Sequence, residues 1–205
     1  MTVDLRLWFV AAACFAVFFA LGIAVTHTTA FIRFDALANA VAGRATPLAI
    51  LFTTSGRALP LLVAAVVGIS IAALTRYNIV AAIAIFGMQL LSQAAIEGLK
   101  HVFHRGRPDK WIVHQDLGFS YPSGHAATAV VFYGSWLLLV LFSPLPKITK
   151  IVFVVVLATW MIGIDWSRLA LGAHYPTDLI GGTLFGAACS CILWAMLLHV
   201  RAFPA

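Results

Sequence analysis

Residues 7–25 read LWFVAAACFAVFFALGIAV, nineteen residues without a charge. A helix that crosses a bilayer needs about 20 mostly apolar residues, so this stretch is read as a membrane span. Arg6 precedes it, and no clear small-residue cleavage site follows before the next charge, so a retained first helix is expected rather than a removed signal. Further runs of the same kind follow at Ala58 to Thr75, Asn78 to Ile96, Ala126 to Leu145, Ile151 to Ile164 and Leu179 to Leu198. The fifth is short and must borrow flanking residues or sit in thinned bilayer. Composition agrees. Of 205 residues 62% are hydrophobic and 10% are charged, against about 25% charged in a soluble domain. An all-α bundle of six transmembrane helices is expected, forming one domain over residues 1–205.

The formal net charge is +6. The chain is too apolar and its cations too scattered for nucleic acid as partner, so anionic lipid headgroups or a phosphorylated substrate explain the sign better. Cys14, Cys189 and Cys191 lie in apolar runs and read as small buried hydrophobes. Gly182 and Gly186 have a spacing that permits close helix contact and is weak evidence of dimerisation. Oligomeric state stays open.

Six spans place the first, third and fifth loops on one membrane face. Cations do not settle which face. Arg6, Arg76, Lys147, Lys150 and Arg201 lie at the termini and even loops, against Arg33, Arg44, Arg57, Lys100, Arg105, Arg107, Lys110 and Arg168 on the odd side. The short basic turns favour termini inside.

Three clusters carry chemistry on the shared face. The first runs from Lys100 through His101, His104, Arg105 and Arg107 to Pro108; the second is Pro122-Ser123-Gly124-His125; the third is Ser167-Arg168, His174 and Asp178. Taken singly, each has a plain alternative: an interfacial basic patch, a helix start with an incidental histidine, and a histidine capped by aspartate. Together, Lys100, Arg107 and Arg168 suit a tetrahedral dianion. Ser123 can cap a helix whose free amides, with Gly124 admitting close approach, form a phosphate site. If the sixth helix begins at His174, Asp178 lies on its face and holds one imidazole nitrogen as N–H, leaving the other as nucleophile. His174 would attack phosphorus, the cations would offset developing charge, and His125 would protonate the leaving oxygen and then activate water. Glu97 could pair with Lys100. His101, His104 and His125 as metal ligands lack a Cys or carboxylate at suitable spacing, so no metal is expected. Asp109, Trp111, His114 and Phe119 could shape an entry, and residues 31–51 could form interfacial helices.

These three clusters, without a spacing error, resemble the tripartite signature of the type-two phosphatidic acid phosphatase superfamily, which includes vanadium haloperoxidases and bacterial acid phosphatases. The resemblance covers residues 95 to 185 directly. It implies a helical bundle in the bacterial cytoplasmic (inner) membrane, with its site facing the periplasm or exterior. It implies His174 as nucleophile, His125 as acid and Asp178 as orienter, with Lys100, Arg107, Ser123, Gly124 and Arg168 on phosphate and no cofactor. The substrate implied is a phosphorylated membrane lipid: phosphatidylglycerophosphate, phosphatidic acid, undecaprenyl diphosphate or a lipid A phosphate. Lipid-to-lipid phosphotransfer at the same site is the first alternative. An anion-binding transporter would need polar residues near the midplane of several helices, and an inactive relative would have lost His174 or His125.

Overall fold

In the computed structural model of the chain, residues 3–44, 46–109 and 118–200 are described. Lys110, Trp111, His114 and Arg201 lie outside them. The described residues are helical, with no strand among them. Six helices are long and apolar enough to span a bilayer: α1 (Val3–His27), α4 (Ala58–Thr75), α5 (Ile79–Phe103), α6 (Gly124–Leu141), α7 (Lys147–Ala170) and α8 (Pro176–His199). Between α1 and α4 the chain forms α2 (Ile32–Asp35), a 3-10 turn (Ala36–Ala40) and α3 (Thr46–Ser55). These short helices stand where interfacial ones were expected.

Two spans differ from the hydropathy reading for one reason. The fifth was expected at Ile151 to Ile164, yet α7 continues for another turn and a half through Ser167 and Arg168. Charge ends a hydropathy run but not a helix. Here the polar residues turn inward: Ser167 and Arg168 are buried, and the Ser167 hydroxyl donates to the Ile164 carbonyl at 2.6 Å. In the same way α5 runs on past the apolar run's end at Ile96 to Phe103, so that Glu97 and Lys100 lie three apart on one helix, as their expected pairing requires. His104, at φ 52°, ends it, its N–H bonded to the Lys100 carbonyl. The fourth span stops at Leu141, short of Leu145, ahead of Pro144 and Pro146. It contains a π-helical stretch, Ala129–Gly134.

The outward surface is what a bilayer requires. Phe9, Leu59, Leu74, Leu91, Ile148 and Ile162 are exposed, a pattern no aqueous monomer would carry at this density. The core is built around α8, whose buried residues run from Thr177 to Leu197. Phe18 of α1 stacks on Tyr121 at 5.5 Å and packs against Phe185 of α8 at 5.4 Å. Tyr121 is fully buried, and its hydroxyl donates to the Phe18 carbonyl at 2.7 Å. This anchors the segment between α5 and α6 to α1.

The glycines at 182 and 186 serve contact within the chain. A Cβ at Gly182 would stand 2.3 Å from the Ser123 carbonyl oxygen, and one at Gly186 would stand 2.9 Å from that of Ala127. They let α8 press against the start of α6, which carries Ser123 to His125. The weak dimerisation signal is therefore accounted for by intrachain packing. Alanine in a helix normally gains about 1 kcal/mol over glycine. Gly182→Ala is nonetheless expected to cost about 1–3 kcal/mol, because the neighbour is backbone that cannot move aside. Thermal unfolding in detergent checks this. Gly87→Ala, where a Cβ meets no atom within 4 Å, should not lower the midpoint, and a higher midpoint for Gly182→Ala would refute the packing.

Candidate active site

The segments of the first, third and fifth connections meet at one end of the bundle. There a pocket of about 330 Å³ is lined by Gly56, Gln93, Glu97, Lys100, Arg107, Gly124, His125, Arg168 and His174. Six of the eight residues singled out from sequence stand on its wall. Ser123 and Asp178 are fully buried and stand behind it.

Each wall residue is placed by a local cause. Lys100 lies in the last turn of α5 and is paired with Glu97 at 2.7 Å. Arg107 follows the turn made by His104. Its Nε donates to the Gly118 carbonyl at 3.0 Å and its Nη1 to the Ala173 carbonyl at 3.2 Å. Arg168 sits in the final turn of α7, and its Nη1 donates to the Thr53 hydroxyl at 2.6 Å. A third cation brought to the same pocket is tolerated because each has such a partner.

Ser123 caps α6, its hydroxyl accepting from the Ala126 N–H at 3.4 Å. That contact uses the side chain for the helix start, and it is the adjacent Gly124 that faces the pocket. Gln93 of α5 reaches across to donate to the Gly124 carbonyl at 3.2 Å and the Thr128 hydroxyl at 3.0 Å. His125 has Nε2 3.0 Å from the Thr53 carbonyl oxygen. A carbonyl only accepts, so this nitrogen carries the hydrogen. His101 and His104, weighed above as metal ligands with His125, instead meet Phe119 edge-on at 5.6 and 4.5 Å.

His174 differs from the sequence expectation in one respect. α8 begins at Pro176, so His174 lies in the turn before it, while Asp178 is in the first helical turn. Proline, fit for a first helical position, sets that boundary. The carboxylate still reaches back: Asp178 Oδ2 is 3.4 Å from His174 Nδ1 and accepts the Tyr175 N–H at 2.9 Å. On the other side of the ring, Arg107 Nη1 is 3.4 Å from Nε2. An arginine only donates and a carboxylate only accepts, so this arrangement selects the tautomer with hydrogen on Nδ1 and a lone pair on Nε2.

Sequence reasoning gave no part to three residues behind this wall. Thr53, from α3, takes Arg168 on its hydroxyl and His125 on its carbonyl. Arg105 donates from Nη1 to Asp178 Oδ1 and from Nη2 to Asp35 Oδ2, the latter at 2.5 Å. Asp35, at the end of α2, is buried. Burial alone would lower the Arg105 guanidinium's affinity for its proton, but the charges of Asp178 and Asp35 and their hydrogen bonds hold it raised. The guanidinium carbon lies 4.5 Å from the Tyr175 ring centre. A cation inside the first cluster was visible in sequence; the carboxylate 70 residues earlier that pairs with it carried no motif.

Known proteins bear on this arrangement in three ways. Residues 78–201 match the family model described as the PAP2 superfamily. Phosphatidylglycerophosphatase B of Haemophilus influenzae is 35% identical over 94 residues, 42% of this chain and 37% of that protein. Lipid A 1-phosphatase of Rhizobium johnstonii is 32% identical over 115 residues, 51% of this chain and 41% of that protein. The matched stretches thus span about two-fifths of the length of these curated relatives. The crystal structure of a transmembrane PAP2-type phosphatidylglycerolphosphate phosphatase from Bacillus subtilis superposes with a TM-score of 0.81 at 22% identity, covering 95% of this chain and 98% of that one. At that identity the likeness speaks for the fold, and it is a likeness of the whole six-helix arrangement. With the match to residues 78–201 taking in all three clusters, this multi-pass membrane chain belongs to the PAP2 superfamily.

Proposed function

We propose that the protein is a membrane lipid phosphatase that hydrolyses a phosphomonoester or diphosphate through a phosphohistidine on His174. The observation that carries this reading is the pocket in which Lys100, Arg107 and Arg168 converge with His174 and His125. The names of the relatives, phosphatidylglycerophosphatase B and lipid A 1-phosphatase, support a lipid as the phosphate's carrier. The site is read as one domain's, facing the periplasm or exterior from the inner membrane.

The geometry supports the following chemistry. The phosphoryl group sits among the three cations and the Gly124 amide, which hold its non-bridging oxygens. His174 Nε2 forms a bond to phosphorus as the bond to the lipid oxygen breaks, and His125, its Nε2–H staying on the Thr53 carbonyl, gives that oxygen the proton it carries on Nδ1 when the phosphoryl dianion is bound. Asp178 stabilises the positive imidazole that results. In the second step His125 takes a proton from water, the hydroxide oxygen bonds to phosphorus, and the P–N bond breaks to return His174 and release phosphate. Fixed cations supply the electrostatic stabilisation that a metal ion supplies in other phosphoryl-transfer sites. Ser123 contributes by holding the start of α6, and so the Gly124 amide, in place.

His174→Ala should lower phosphate release by about 1,000-fold or more for every lipid tested, since removing the nucleophile removes the whole covalent route. Release at the native rate by the purified variant would end the reading. Arg168→Ala, which removes one stabilising group, should cost on the order of 100-fold in turnover. Excess chelator should leave turnover unchanged across a panel of phosphatidylglycerophosphate, phosphatidic acid, undecaprenyl diphosphate and lipid A phosphate. A loss restored by added metal would contradict the metal-free mechanism.

A further inference from the structure

We propose that Asp35 and Arg105 are positioning residues for the reaction: together they fix the carboxylate of Asp178 so that one oxygen stays on His174. The proposal deepens the reading of His174 as nucleophile and rests on it.

Asp178 is fully buried and its two oxygens have different partners. Oδ1 accepts from Arg105 Nη1, while Oδ2 faces Tyr175 N–H and His174 Nδ1. A carboxylate that orients a histidine works only if it cannot rotate or be drawn away. Arg105 is the group that could do either, because a guanidinium can take both oxygens of one carboxylate in a two-pronged bond. Asp35 prevents this by occupying the second prong: Arg105 Nη2 donates to Asp35 Oδ2 at 2.5 Å. Thr177 closes the ring. Its hydroxyl accepts from Arg105 Nη1 at 2.7 Å and donates to Asp35 at 2.8 Å, and its backbone N–H donates to Asp35 Oδ1 at 3.1 Å. Asp35 is thereby tied to the first turn of α8, the turn that carries Asp178.

Charge points the same way. One guanidinium between two carboxylates leaves a net negative charge in a buried place. That charge lies beside the imidazole that must become positive when Nε2 bonds to phosphorus. With Asp35 made neutral, Arg105 and Asp178 would cancel, and His174 would lose its counter-charge at the moment it is needed. The first extramembrane segment, which supplies Asp35 and Thr53, thus acts on the nucleophile through one residue and on Arg168 and His125 through the other. Neither Asp35 nor Arg105 lines the pocket that holds His174; both border a separate cavity beside Arg107 and Tyr175, so the expected effect is on turnover and not on binding of the phosphoryl group.

The test is Asp35→Asn in the full chain in detergent, with kcat, KM and the ring nitrogens of His174 as readouts. Selective nitrogen-15 histidine labelling, assigned by difference with His174→Ala, reports which ring nitrogen carries hydrogen. The proposal expects kcat to fall about 10- to 100-fold with KM within about twofold. It also expects the signal for hydrogen on Nδ1 of His174 to weaken in favour of the other tautomer. Unchanged kcat, an unchanged tautomer, or a fall in kcat matched by a rise in KM would each overturn it. If Asp35→Asn does not fold, Arg105→Lys, which keeps the charge but loses the fork, is held to the same criteria. An active His174→Ala enzyme would defeat the nucleophile reading itself. An inactive one beside a fully active Asp35→Asn enzyme would defeat this inference alone.

Discussion

Three cations held around one small pocket at the end of an apolar bundle repel one another, and each resists leaving water. The architecture is organised around relieving that cost without neutralising the site. Lys100 is offset by Glu97, Arg107 is spread over two carbonyls, and Arg168 is taken by the Thr53 hydroxyl. Two of these devices use neutral acceptors. They satisfy the donors while leaving positive potential in the pocket, where a phosphoryl group would complete the balance.

The helices answer to the same constraint. α8 is the most enclosed span because its first turn must hold Asp178 in a dry place while its glycines admit the start of α6. That contact sets the distance between the segment carrying His125 and the segment carrying His174; the Ser123 N–H even bonds to the Asp178 carbonyl at 3.1 Å. Packing behind the pocket, such as Tyr121 between α1 and α8, therefore fixes geometry at the pocket.

Much of this was legible in sequence, and the remainder was hidden for definite reasons. The second span was read with its observed bounds, Ala58 to Thr75, because no charged residue interrupts it. The fifth was read ten residues too short: six at its end, where Arg168 and its neighbours are counted as loop when burial and hydrogen bonding are not visible, and four at its start, where Lys147 and Lys150 interrupt the apolar run. The grouping of Lys100, Arg107, Gly124, His125, Arg168 and His174 followed from fixed spacings and span parity. Thr53, Asp35 and the role of Arg105 did not, since their partners lie more than 60 residues away in contacts that no local pattern announces. His174 was placed at the first position of a helix that starts after it, because Pro176 was not weighed as the boundary.

The central claim is a covalent bond between phosphorus and one imidazole nitrogen. Its most direct measurement is acid-free quenching during turnover of a lipid carrying labelled phosphate, followed by peptide mass spectrometry. The account predicts an acid-labile phosphoryl adduct on the peptide containing His174, discharged by water and lost in the His174→Ala chain. Label found on another side chain, or steady turnover under conditions that would trap an intermediate yet show none, would contradict it.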